Sequence, residues 1–158
     1  MWRFRHKVPH LIPRRACLRV GLYGRLTYQT MAAYWPHASG SFAEKINRLP
    51  KLVFSSTLDE TPWGDWNNAR PLHGALADEV AKLKDQPAGD MVIYGSGSLL
   101  QALTRLGAID EYRLVVNPVL LGAGTPLFDG MAERRNLKLT QSRSWPSGSV
   151  ALTYQLAG

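Results

Sequence analysis

Tyr94-Gly95-Ser96-Gly97-Ser98 is a glycine turn between an apolar run and an amphipathic one, and no other segment is as well suited to grip a ligand. Met91-Val92-Ile93-Tyr94 reads as a buried strand. Ser98 to Leu106 reads as a helix with Leu99, Leu103 and Leu106 on one stripe and Gly107 as its stop. A strand that turns through Gly-Ser-Gly into a helix leaves unpaired backbone N–H groups at the positive helix end. The missing side chains let a phosphate come close to them. The same geometry also serves plain chain reversal, so these residues alone leave a nucleotide site and a structural turn both open. A Rossmann site fits poorly: its third glycine would fall at Leu100, and no acidic residue closes a strand about twenty residues further on.

The remaining reactive side chains form no centre. His6, His10, His37 and His73 lack metal-ligand spacing, and the single Cys17 can neither build a zinc site nor close an internal disulfide. No catalytic residue and no metal ligand is assigned. Asp59, Glu60 and Asp65 cluster near Trp63 and Trp66, either as solvated loop acids or as the edge of a substrate pocket. Tyr34, Trp35 and Pro36 read as packing residues.

A chain of 158 residues is about one domain, and 45% hydrophobic content suffices for a core. The net charge of +7 sits entirely in residues 1–25, which hold seven basic side chains and no acid; the rest balances twelve against twelve. The neutral body argues against a nucleic-acid partner. Residues 1–15 form a basic, atypical arm beside a domain spanning 16–158. Nucleic-acid contact and an Arg-rich transit segment are alternatives for this arm, but Pro9 and Pro13 interrupt any amphipathic helix. An unstructured or damaged end is the favoured reading. No apolar stretch is long enough for a secretory signal or a membrane span, so a cytoplasmic protein without a membrane partner is expected.

These segments need a frame to hold them. Leu18 to Tyr23 reads as an imperfect strand, weakened by Arg19 and Gly21, and Thr27 to Tyr34 as a helix with Met31 and Tyr34 toward the core. Ser41-Phe42-Ala43-Glu44 has the form of a capping box opening a helix to about Arg48. Lys51 to Ser55 reads as a strand, Ala75 to Lys84 as a helix and Tyr112 to Val116 as a strand. Leu137 and Leu139 alternate, as do Val150, Leu152, Tyr154 and Leu156, with Trp145 to Ser149 turning between them. Helices between buried strands followed by a terminal hairpin imply a three-layer α/β fold, its mostly parallel sheet closed by an antiparallel pair.

Four segments in order then resemble one family: Tyr23-Gly24-Arg25-Leu26-Thr27-Tyr28, Leu52 to Leu58, Gly95-Ser96-Gly97-Ser98-Leu99, and Asn117-Pro118-Val119-Leu120-Leu121-Gly122-Ala123-Gly124-Thr125-Pro126-Leu127-Phe128. Together, over roughly residues 20–156, they resemble dihydrofolate-reductase-like proteins. The closer resemblance is to the C-terminal reductase domain of bacterial bifunctional riboflavin deaminase/reductases and its stand-alone relatives. The resemblance implies a three-layer α/β/α dihydrofolate-reductase-like fold and hydride transfer from NADPH to a phosphoribosylamino-pyrimidine or related small heterocycle. By the same resemblance Gly24, Arg25, Thr27, Gly95, Ser96, Gly97, Ser98 and Leu99 hold the cofactor pyrophosphate. Ser55, Ser56 and Thr57 lie at the adenosine 2′-phosphate, and Pro118, Leu121 and Gly122 at the substrate. A homodimer is implied as well. Members open with an apolar strand and Ser-Leu-Asp-Gly or similar; Met1 to Arg15 shows neither, so the first strand is expected to be missing or altered through truncation, frameshift or a wrong start. The alternative reading is a catalytically impaired NADP-binding remnant.

Overall fold

The computed structural model describes residues 2–4, 18–86 and 89–157; Cys17, His6, His10 and the basic arm beyond Phe4 lie outside them. One sheet contains β1 (Trp2–Phe4), β2 (Leu18–Gly24), β3 (Lys51–Phe54), β4 (Ala69–Leu72), β5 (Asp90–Ile93), β6 (Glu111–Val116), β7 (Leu137–Ser144) and β8 (Val150–Leu156). Their spatial order is β4-β3-β2-β5-β1-β6-β8-β7. β1 and β8 run against the other six. Among the described residues, four α-helices complete the frame: α1 (Arg25–Ala32), α2 (Ser41–Arg48), α3 (Leu76–Asp85) and α4 (Gly97–Arg105).

Strand alternation gives the sheet two faces, and each buries its own cluster. Leu22, Leu52, Met91 and Ile93 meet Val80 and Leu83 of α3 and Leu99, Leu100 and Leu103 of α4. On the other face Tyr23 and Val53 meet Tyr28 of α1, Ile46 of α2 and Trp63 from the loop after β3. Helices on both faces make the three expected layers, and β7 and β8 form the expected antiparallel closing pair. Its turn is fastened by Trp145 N–H donating to Ser149 O at 3.0 Å and Gly148 N–H donating to Trp145 O at 2.9 Å.

Several local expectations need correction. The buried residue of α1 is Tyr28; Tyr34 lies beyond the helix and is 63% exposed, because the chain leaves the helix at Ala32 and tightens into a 3-10 turn at Trp35–His37. In α4 the buried stripe is Leu99, Leu100, Leu103 and Thr104, while Leu106 is the exposed C-cap before Gly107 (φ +67°). The capping box does not form: Gly40, at φ +105°, takes the cap position, its carbonyl accepts the Glu44 N–H, and Ser41 is already helical. β4 carries no strand signal because Pro71 interrupts it, which an edge strand tolerates. A first strand is present, only three residues long and antiparallel to both neighbours, with Trp2 opposite Ile93 and Tyr112. Three residues are too few for hydrophobic alternation to register; backbone pairing on both sides defines this strand.

The two residues that weaken the β2 pattern both have structural uses. Arg19 sits where the β2–β5 register shifts, and its guanidinium donates to Leu83 O at the end of α3 and to Gln86 Oε1. Gly21 leaves room for the buried Tyr23 ring, which lies where a Cβ would stand, 2.7 Å from Tyr23 Cε2.

A buried lysine organises the second cluster. Lys51 is fully enclosed, donates to Asn47 O at 2.7 Å and Asn68 Oδ1 at 3.1 Å, and places its Nζ 4.3 Å from the centre of the Trp63 ring. Asn47 Oδ1 accepts the Trp63 indole N–H at 2.8 Å, and the Asn47 amide donates to Trp35 O. Burial pushes the Lys51 ammonium down to about 8, against about 10.4 in an unfolded chain. Between these values the folded protein binds fewer protons than the unfolded one, so this group's contribution to stability rises with pH across the window and is least favourable below it. Above about pH 10 the sign reverses for Tyr23, Tyr28 and Tyr112, whose phenols burial holds neutral. Thermal melts at pH 7 and pH 9.5 test the lysine effect: Lys51→Met should lose the upward pH contribution seen in the parent. An identical pH dependence in both proteins would show that Lys51 does not titrate there.

Candidate functional site

β2, β3 and β5 are adjacent and parallel, so the loops at their carboxyl ends lie side by side. From one edge inward these are residues 55–57 after β3, the Gly24–Thr27 start of α1, and the Gly95–Leu99 turn into α4. Gly24 stands opposite Phe54, one residue before Ser55. Segments about thirty and seventy residues apart in sequence thus form one continuous rim.

A reciprocal latch joins the two helix starts. Ser96 N–H donates to Thr27 Oγ1 at 3.1 Å, and Gly24 N–H donates to Ser96 Oγ at 3.0 Å. Ser96 is buried and left-handed (φ +53°), and Gly95 precedes it at φ +60°, so two consecutive positive φ values aim the turn. The Ser96 hydroxyl and the Gly24 N–H therefore bind each other and fix the two helix starts together. This signal is not visible in either motif by itself.

The helix starts themselves are open. Neither α1 nor α4 has a side-chain cap or an acidic residue in its first turn, whereas α2 carries Glu44 there and α3 carries Asp78 and Glu79. The N–H groups of Arg25, Leu26 and Thr27, and those of Gly97, Ser98 and Leu99, are the positions a helix leaves without internal acceptors. Both ends favour negative charge through their aligned peptide dipoles. A Cβ at Gly97 would have no atom within 4 Å, so the space over that N–H is unfilled. Arg25 is exposed and forms no ion pair with a described residue.

Ser55 closes its own loop: its Oγ accepts the N–H groups of Thr57 and Leu58, both at 3.1 Å, and its carbonyl oxygen lies 2.8 Å from His73 Nδ1. Ser56 and Thr57 are thereby held exposed beside Gly24–Thr27. The substrate-side residues are less gathered. Pro118 packs toward Gly148 of the β7–β8 turn, whereas Leu121 is 82% exposed and Gly122 (φ +71°) has open space around it. Asp59, Glu60 and Asp65 are exposed loop acids, while Trp63 is core. Sequence reading also missed Tyr94 and Arg113 as a pair. Burial raises the Tyr94 phenol above its ordinary range, and the nearby Arg113 guanidinium opposes that rise.

The rim thus brings two uncapped, acid-free helix starts side by side, and residues 14–151 match the family described as the RibD C-terminal domain. The chain belongs to that family. A relative within reach of direct alignment is the uncharacterized protein YyaP of Bacillus subtilis (strain 168), 36% identical over 142 residues, covering 87% of this chain and 73% of the relative. Among solved structures, a candidate riboflavin biosynthesis protein from Shewanella sp. PV-4 superposes with a TM-score of 0.74 at 22% identity, over 94% of this chain and 84% of that one. Dihydrofolate reductase from Enterococcus faecalis, complexed with NADP(H), gives 0.61 at 15% identity, over 96% and 86%. These superpositions establish the dihydrofolate-reductase-like fold. Within this RibD C-terminal domain, no described helix is long and apolar enough to cross a membrane.

Proposed function

We propose that this RibD C-terminal domain is an NADPH-dependent reductase that passes a hydride to a phosphoribosylamino-pyrimidine or a related small heterocycle. The observation that carries the reading is the pair of uncapped, acid-free helix starts latched through Ser96 and Thr27, with the guanidinium of Arg25 beside them. Arg25 and the first turn of α1 would grip one side of a pyrophosphate, and the N–H groups of Gly97, Ser98 and Leu99 the other. Ser56 and Thr57, presented by the Ser55 turn, would meet the adenosine 2′-phosphate. When bound, NADPH supplies the hydride from its nicotinamide ring; the protein's work is to orient it and keep water away. Pro118, Leu121 and Gly122 would then border the substrate. Mixing the intact chain with NADPH and the phosphoribosylamino-pyrimidine should consume NADPH and form the reduced pyrimidine product. Folded protein that binds NADPH yet turns over neither this substrate nor pterins, flavin precursors or quinones would point to the second reading, a cofactor-binding remnant. The three-residue, reversed β1 at the centre of the sheet is the observation favouring that alternative.

The assembly follows from the far side of the molecule. Leu137, Leu139 and Leu156 are each more than a third exposed on one face of the β7–β8 pair, and Val116 at the end of β6 and Val119, Leu120 and Leu121 after it are exposed as well. We infer that a second copy covers this apolar area in a homodimer. Light scattering should give about twice 17.6 kDa; a monodisperse mass of 17.6 kDa would refute the dimer.

A further inference from the structure

His73 extends the candidate cofactor rim by one strand. It follows the edge strand β4, whose Leu72 stands opposite Phe54 of β3. Contact between the two chains continues past the strand ends. Ser55 N–H donates to Leu72 O at 3.2 Å, and His73 Nδ1 lies 2.8 Å from Ser55 O. His73 is exposed, as are Ser56 and Thr57 in the turn that Ser55 closes. Phe4 and Leu18, which flank the undescribed residues 5–17, stand at the other end of the sheet, opposite Met91 and Asp90.

The contact with Ser55 decides which ring nitrogen carries a proton. A carbonyl oxygen only accepts, so Nδ1 is the donor. In the neutral ring Nε2 is then a bare acceptor, and in the charged ring it is a donor. His73 makes no other hydrogen bond and no ion pair with a described residue, which leaves Nε2 for a ligand. An acceptor there suits a hydroxyl and repels a phosphate oxygen; a charged donor favours the phosphate. The charged groups on the surrounding elements are Arg70 on β4, Arg25 on α1, Asp59 and Glu60 after the Ser55 turn, and Asp78, Glu79 and Lys82 on α3. Lys82 engages Glu79 at 3.0 Å, and none of these groups bonds the imidazole.

We propose that His73 selects between the two nicotinamide cofactors through its charge. As a cation it donates from Nε2 to the 2′-phosphate of NADPH; as a neutral ring it accepts from the 2′-hydroxyl of NADH. Binding NADPH to the neutral ring therefore draws a proton from solvent onto His73. Histidine is the side-chain type that changes charge between pH 5 and 8, so the choice of cofactor follows pH. The proposal rests on the cofactor reading of the rim, and it adds a residue outside all four segments that carry the family resemblance.

The test titrates the intact chain with NADP+ and NAD+ at pH 6 and pH 8, since the oxidised forms carry the same adenosine ends and survive acid. His73→Asn is the reference: its amide can still donate to Ser55 O, and it has nothing in place of Nε2. Titration of the ligand's own phosphate and of the neighbouring side chains is common to both proteins and cancels in the comparison. From pH 8 to pH 6 the preference for NADP+ over NAD+ should rise about tenfold more in the parent than in His73→Asn. His73→Lys, a cation at both values, should keep at pH 8 the preference the parent shows at pH 6. Calorimetry in two buffers of different ionisation enthalpy should record more proton uptake with NADP+ in the parent than in His73→Asn. Melts without ligand should be alike for all three proteins. The same pH dependence in parent and His73→Asn, with both dinucleotides bound, would overturn the proposal and leave the cofactor rim standing. Folded parent that binds neither dinucleotide would overturn the cofactor reading, and this proposal with it.

Discussion

Replacing Arg25 by alanine should weaken NADPH binding about ten- to hundredfold and leave the melting temperature of the ligand-free protein unchanged. A charge-assisted hydrogen bond to a phosphate contributes about 1.5–3 kcal/mol, which is that range in affinity. The side chain is exposed and pairs with no described carboxylate, so its loss removes nothing the empty fold relies on. Gly97→Val should act by a different route. Its Cβ would meet no atom within 4 Å and its φ is not in the left-handed region, so the fold accepts the side chain. The branched carbons then occupy the space through which a pyrophosphate must approach the N–H groups of α4. Calorimetric titration with NADPH, beside melts without ligand, separates binding from folding. Two variants that melt and bind like the parent would leave the rim without a cofactor.

The largest stability effect is expected at Trp63. It is fully buried and bridges Tyr23 and Tyr28, with ring centres 6.2 and 6.0 Å away. Trp63→Ala should cost about 3–5 kcal/mol through lost contacts and the cavity left behind. It would also take the ring from the Lys51 ammonium and the indole donor from Asn47 Oδ1. In a domain this size that corresponds to a fall in melting temperature of about 10 °C. Tyr23 and Tyr28 flank the Gly24–Thr27 start, so the same substitution loosens the cofactor rim. Trp63→Phe should restore part of the packing and none of the indole hydrogen bond. A fall of only a degree or two for Trp63→Ala would show that the Lys51–Asn47–Trp63 network does not hold this layer.

What could be read from the residues, and what could not, divides along physical lines. The order of strands and helices was legible because apolar runs and glycine stops are local signals, and the closing pair was marked by clean alternation around Trp145-Pro146-Ser147-Gly148-Ser149. The glycine turns at Gly24 and Gly95 were recognisable, but the latch between Ser96 and Thr27 was not, since it depends on β2 and β5 being neighbours. Ser41 looked like a cap because its spacing to Glu44 fits one; the helix does run Ser41–Arg48, but Gly40, at positive φ, takes the cap position. Lys51 read only as the first residue of a strand, and it is the tertiary fold that encloses its ammonium against Trp63. Likewise Ser55 and His73 share no sequence motif, and their contact is a property of the β3–β4 register.

The central claim is that the rim formed by Gly24–Thr27, Ser55–Thr57 and Gly95–Leu99 holds NADPH. Its most direct test is a titration of the intact, folded chain with NADPH and, in parallel, with NADH. Saturable one-site binding, tighter for NADPH through its 2′-phosphate and lost in Gly97→Val, is the result predicted. Folded protein that binds neither nucleotide, or a Gly97→Val variant that binds NADPH as the parent does, would contradict it.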